Sequence, residues 1–175
     1  MLEDFNLLIS TSRGNEGNAC SEIWYLLGEV GDKEAKVDVT PVIGLVVART
    51  FLSPIEVVHK LRSLLKERPW EFRYTLKVTP IEEVVATNLE VIRKLTVELV
   101  KKIGDNQTFR VTVEKRHTST STKDLIEAVA SGIERKVDLE NPDKIVLIEV
   151  IGKLAGISVL EPTDILSVER EKRNL

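Results

Sequence analysis

The stretch Phe109–Leu160, FRVTVEKRHTSTSTKDLIEAVASGIERKVDLENPDKIVLIEVIGKLAGISVL, decides how the fold of this 175-residue chain is read. From Phe109 to Lys115 the apolar Val111 and Val113 alternate with Arg110, Thr112 and Glu114, the period of a strand with one wet face. Thr122 to Arg135 then places Leu125, Ile126, Val129 and Ile133 at helical spacing. Ile145–Ile151 and Ile157–Leu160 read as two further strands, flanked by Gly152 and Gly156 around Lys153, where glycine permits a tight reversal. Asn141-Pro142-Asp143 is the turn that delivers the chain into the Ile145 strand.

Working outward, Thr87 and Glu90 form a capping box that opens a helix with Ile92, Leu95, Leu99 and Ile103 on its inner stripe. Lys101 and Lys102 sit in its last turn, and Gly104 supplies the stop. The first half of the chain reads strand, helix, strand, strand, helix, strand. Phe5–Ser10 is a short apolar strand, and Asn18–Val30 is a helix ended by Gly31-Asp32. Lys36–Thr40 and Val42–Phe51 are strands divided by Pro41. Ser53-Pro54-Ile55-Glu56 is a helix start with N-cap, first-position proline and capping glutamate. Trp70, Phe72, Tyr74, Leu76 and Val78 alternate with polar residues as a strand does. This βαββαβ order is that of a ferredoxin-like fold, which hosts many unrelated functions. A boundary falls near residues 80–86, giving an α+β chain with domains at 1–85 and 86–175. Asp164–Leu175 turns charged and reads as a frayed tail.

Lys and Arg number 25 against 28 Asp and Glu, a formal net charge of −3. That is not the balance of a strong nucleic-acid binder, so any such surface is a local patch. The single cysteine, Cys20, excludes an intramolecular disulfide and a cysteine zinc cage, and reads as a small buried hydrophobe. The longest apolar runs fall far short of the roughly 20 residues of a membrane-spanning helix. MLEDFNLLIS shows no export signal, so a cytoplasmic location without membrane contact is expected.

The strongest candidate contact surface is where the Phe109 strand exits through Lys115, Arg116 and His117 into the TSTST turn. Arg110 lies on the wet face of the strand, and Lys123 falls in the first turn of the next helix. Lysine and arginine meet phosphates as charge-assisted donors. Hydroxyls and free N–H groups at a helix start can receive a phosphate oxygen. The ordinary use of such hydroxyls is to cap the helix, and spacing alone favours that use. Lys136 and Lys153, with Arg135, are secondary candidates, and surface charge is their ordinary reading.

Enzyme chemistry finds little purchase. His59 and His117 stand at no metal-binding spacing, and the phosphate-binding GxxxxGK[ST], GxGxxG and GxSxG patterns are absent. The adjacent Glu82 and Glu83 would point to different faces of a strand. Trp24 and Trp70 could stack bases, although core packing is the commoner use of tryptophan. No metal, cofactor or catalytic residue is assigned.

Taken together, FR-V-V at Phe109–Val113, the Lys115-Arg116 pair and VDLENPDKIVLIEVIGKLAGISVL from Val137 resemble a THUMP domain. With SRGNEGNACSEIWYLLGEVGD in the first half, the chain looks most like the stand-alone adaptor family of tRNA cytidine acetylation. The resemblance implies a ferredoxin-like N-terminal domain followed by a THUMP α/β domain. It also implies a non-catalytic protein that binds tRNA and presents it to an acetyltransferase forming N4-acetylcytidine. By the resemblance Arg110, Lys115, Arg116 and Lys123 contact phosphates, and His117 adds polar contacts. The alternatives are a specificity subunit for a methylating or thiolating tRNA enzyme, and a ferredoxin-like protein-interaction module without RNA binding.

Overall fold

The computed structural model describes residues 1–175. In chain order they form β1 (Leu7–Ser10), α1 (Glu16–Glu29), β2 (Lys36–Val39), β3 (Leu45–Arg49), α2 (Pro54–Glu67) and β4 (Lys77–Pro80). Next come β5 (Glu83–Ala86), α3 (Leu89–Lys94), α4 (Thr96–Leu99), β6 (Thr108–Arg116) and α5 (Thr122–Ala130). The remaining elements are β7 (Lys136–Val137), β8 (Lys144–Ile151), β9 (Leu154–Leu160), β10 (Leu166–Ser167) and α6 (Val168–Arg173). It is a mixed α/β protein with two sheets, divided into Met1–Ile81 plus Thr163–Leu175 and Glu82–Pro162.

In the first unit the sheet order is β10-β4-β1-β3-β2, and every neighbouring pair is antiparallel. α1 and α2 bury Ile23, Leu26, Leu27, Val58, Leu61 and Leu65 against Leu7, Ile9 and Val46 of the sheet. Ser53 caps α2 by accepting the Glu56 N–H, with Pro54 at the first helical position. Gly44, ahead of β3, has φ +77°, and a Cβ there would lie 2.8 Å from the Thr11 carbonyl oxygen, so both torsion and space demand glycine.

The period-2 pattern of residues 70–78 does not become a strand of that length. Pro69–Glu71 is a 3-10 turn, and the N–H groups of Arg73, Tyr74 and Thr75 donate to the Glu22 carboxylate at 2.6–3.1 Å. A side chain takes the hydrogen bonds a ladder would have used, so pairing begins at Lys77. The charged end is not frayed either. Leu166 pairs with Val78, and Leu166 and Val168 are buried in the first core. Arg62 on α2 donates to the carbonyls of Thr163 and Ile165 and to Glu171, while His59 meets Asp164 at 2.8 Å. Residues 163–175 therefore pack with the first unit, whereas the sequence placed them in 86–175.

The second unit is a sheet of order β5-β9-β8-β6-β7. β6 runs parallel to β8 from Phe109↔Lys144 to Arg116↔Ile151, and β8 and β9 form an antiparallel hairpin. A parallel pair needs a crossover, and α5 supplies it. Leu125 and Val129 of α5 pack with Ile92, Phe109, Val146 and Ile148 in the second core. Asn88, not Thr87, caps α3, accepting the Glu90 and Val91 N–H groups. The helix drawn from 87 to 104 is broken, because the Thr96 hydroxyl donates back to the Arg93 carbonyl and competes with the helical ladder. α5 ends at Ala130 rather than Arg135, followed by a turn whose Gly132 lies so close to Thr96 that an added Cβ would collide with its hydroxyl.

Leu166→Ala removes a fully buried side chain from the first core, so the expected loss is about 2–5 kcal/mol of stability in that unit. Hydrogen exchange checks it. Protection should fall in β1, β3 and β4, and the amides of β6 and β8 should be unaffected.

Candidate nucleic-acid interface

The parallel pairing of β6 and β8 brings both strands out at one end of the second sheet. There β6 runs into the turn His117–Ser121, and β8 reverses through Gly152-Lys153 into β9. The Gly152 N–H donates to the Arg116 carbonyl at 2.8 Å, and the Thr87 N–H to the Lys153 carbonyl at 2.8 Å. Gly152 has φ +58°, as the first central residue of a two-residue hairpin of this type requires. His117 has φ +56° and is the one non-glycine residue with positive φ. That left-handed residue turns the chain out of β6.

The result is a shallow depression lined by Ala86, Thr87, Asn88, His117, Thr118, Ser119, Gly152 and Lys153. His117, Ser119 and Lys153 are exposed. The Thr118 hydroxyl donates to Thr120 Oγ1 and accepts the Thr120 N–H, an ST-turn that fixes the loop. Ser121 caps α5 by accepting the Asp124 N–H at 3.0 Å. The hydroxyl-rich turn thus contains the helix cap that spacing favours, while Thr122 and Lys123, as first helical residues, have N–H groups without intrahelical acceptors.

The predicted cations fare differently. Lys115 is exposed and its Nζ donates to the Thr120 carbonyl at 3.1 Å, tying the turn to the strand. Lys123 and Lys153 are exposed. Arg116 is largely committed inside the unit: its guanidinium meets Glu149 Oε2 at 2.5 Å, and that carboxylate side chain is only 3 % exposed. Arg110 donates to the Leu139 carbonyl at 2.9 Å and to the Thr112 hydroxyl, so it braces the loop before β8. Lys136 pairs with Thr108 at the opposite end of β6, roughly 26 Å from Arg116 at the rise of a strand. His117 and Lys153 therefore line one depression, Lys115 is tied to the adjoining turn and Lys123 stands in the first turn of the helix that follows it, whereas Lys136 lies at the far end of β6.

The VDLENPD segment is a structural lock. The Asp138 carboxylate accepts the N–H groups of Glu140 and Asn141, and these hold it below the usual carboxylate range. The Asp138 N–H donates to the Phe109 carbonyl, and Asp143 accepts from the Thr108 N–H. Sequence reasoning does not place Thr87 and Asn88 at this surface. They reach His117 only through the β5–β9 pairing, for which spacing gives no signal. Trp24 and Trp70 are not core residues, being 55 % and 68 % exposed.

Residues 86–160 match the family profile of the THUMP domain. The chain is also similar to THUMP domain-containing protein 1. It is 26 % identical to the Bos taurus and Homo sapiens proteins over 168 residues, covering 85 % of this chain and 47 % and 48 % of theirs. The chain thus spans about half the length of the curated relatives it matches. Among solved structures, PH1313 from Pyrococcus horikoshii shares the fold at TM-score 0.60 and 16 % identity, over 90 % of this chain and 55 % of that one. A 4-thiouridine synthetase seen with RNA and ATP shares it at TM-score 0.54 and 16 % identity, over 90 % and 42 %. No helix is long and apolar enough to cross a membrane.

Arg116→Ala removes the cation that neutralises the buried Glu149 carboxylate, and the expected cost is about 3 kcal/mol. Chemical denaturation of Arg116→Ala, Glu149→Gln and the double variant checks this. The double variant should recover a large part of the loss, as coupled partners do.

Proposed function

We propose that this chain is a non-catalytic adaptor that binds tRNA and presents it to a separate acetyltransferase forming N4-acetylcytidine. The observation that carries the RNA-binding part is the grouping of Lys115, His117, Lys123 and Lys153 with the Thr118 and Ser119 hydroxyls at one end of the THUMP sheet. Exposed ammonium groups beside hydroxyls and helix-start N–H groups suit phosphate oxygens. Such a surface reads backbone and shape, since an A-form helix hides its base edges in a deep narrow groove. The similarity to THUMP domain-containing protein 1 across 85 % of the chain supports the adaptor reading. The antiparallel order β4-β1-β3-β2 supports taking the first unit as ferredoxin-like. In this reading the protein is cytoplasmic and the chemistry resides in the partner enzyme.

A specificity subunit for a thiolating or methylating enzyme is the second reading. It is favoured by the fold shared with the 4-thiouridine synthetase. Reconstitution of each modification with and without the chain separates the two.

The RNA surface is tested by tRNA binding over a salt series, with intact tRNA, tRNA lacking its 3′ end and a plain RNA duplex. The Lys115→Glu, Lys153→Glu double variant should bind intact tRNA at least tenfold more weakly. Its salt slope should be shallower by about 0.7–0.9 for each phosphate that is no longer neutralised. Lys136→Glu, at the far end of β6, should bind within twofold of the parent. Equal binding by the double variant, folded by circular dichroism, would remove this surface from the RNA site.

A further inference from the structure

The first unit carries an aromatic face that neither its core nor the RNA surface uses. On α1, Trp24 is 55 % and Tyr25 41 % exposed, where a helix packed on one sheet face ordinarily shows polar residues outward. Trp24 stands between two clefts. One, of about 310 Å³, is lined by Trp24, Tyr25, Gly28, Glu29 and Lys33. The other is lined by Cys20, Ser21, Trp24, Tyr25 and Val37.

Gly28 has a specific part in this shape. It lies within the helix with no positive φ, and an added Cβ would meet only Lys33 Cγ, at 3.9 Å. Neither torsion nor crowding explains a glycine, which costs a helix about 1 kcal/mol relative to alanine. Its effect is to leave the first cleft open beside the indole. The walls are held in place: Tyr25 donates to Glu71 at 2.9 Å, and Arg68 bridges Glu29 and Glu71. With both carboxylates beside it, Glu29 foremost, the Tyr25 phenol is pushed up to about 12 and stays a donor.

The charge around this face selects its occupant. Residues 16–39 carry Glu16, Glu22, Glu29, Glu34 and Asp38 against Lys33 and Lys36, with Asp32 buried and the neighbouring Arg68 offset by Glu29 and Glu71. An acidic setting repels a phosphate backbone and attracts Lys and Arg. Exposed Trp and Tyr beside open pockets are the usual anchors of protein interfaces.

We propose that the Trp24 face docks the modifying enzyme, through a segment of it that seats a large apolar side chain beside Trp24 and flanks it with Lys or Arg. This rests on the adaptor reading above. The test is a reconstitution of the acetyltransferase, acetyl-CoA and tRNA, with N4-acetylcytidine read by mass spectrometry as the chain is titrated. Trp24→Ala and Gly28→Leu are compared with the parent, the second because it fills the cleft with a better helix former. Both should raise the half-maximal chain concentration at least tenfold, with tRNA affinity measured separately within twofold of the parent. If the parent stimulates and both variants match it, the docking face is wrong and the adaptor reading stands. If the variants lose tRNA affinity instead, the face binds RNA and the proposal falls. If the parent does not stimulate the enzyme, the docking proposal and the acetylation reading fall together.

Discussion

The parallel pairing of β6 with β8 is the constraint from which the geometry of the second unit follows. A parallel pair cannot be closed by a hairpin, so the chain must cross over through α5, and the exits of both strands then lie at one end of the sheet. Once β9 folds back on β8, the Gly152-Lys153 reversal must sit beside the His117 turn, although the two are far apart in sequence. The antiparallel β5 on β9 then brings Thr87 and Asn88 to the same end. The candidate surface is a product of topology, assembled from three separate segments by strand pairing.

Within that surface the fold and the contact site compete for the same cations. Arg116 neutralises a carboxylate that burial would otherwise make costly, and Arg110 holds a loop carbonyl. An arginine with several donors can serve both ends, yet its orientation is set by the interior partner. Lysines on the rim have no such tie to the interior: the Lys115 ammonium reaches only the neighbouring turn, and Lys123 and Lys153 are exposed. The division explains how a chain of net charge −3 can still offer a small basic region.

Elements with strong periodicity are legible in the sequence. The β6 alternation, the α2 capping residues and the buried β8 run read true because local preference and burial agree there. Legibility fails where a distant side chain displaces the local pattern. Glu22 takes the amides of residues 73–75, the Thr96 hydroxyl interrupts a helix, and Arg62 ties down a charged end that composition alone marks as free. Trp24 and Trp70 mislead in the other direction, since residue type favours burial and only tertiary structure reveals their exposure. Among the site residues, those on the β6 exit are visible as a basic run, whereas Lys136 is drawn in only because it borders an element of the same domain. The placement of Asn88 depends on strand order, which spacing does not encode.

The return of residues 163–175 to the first unit has a consequence for biosynthesis. Domains generally form as the chain emerges, N-terminal parts first. Here the first sheet cannot acquire β10, nor α2 its partner α6, until all of Glu82–Pro162 has left the ribosome. The second unit, continuous in sequence, is complete before the first. The aliphatic surface that Leu166 and Val168 cover therefore remains open while the second unit is being made, and residues 163–175 supply the closing step in the folding of the first.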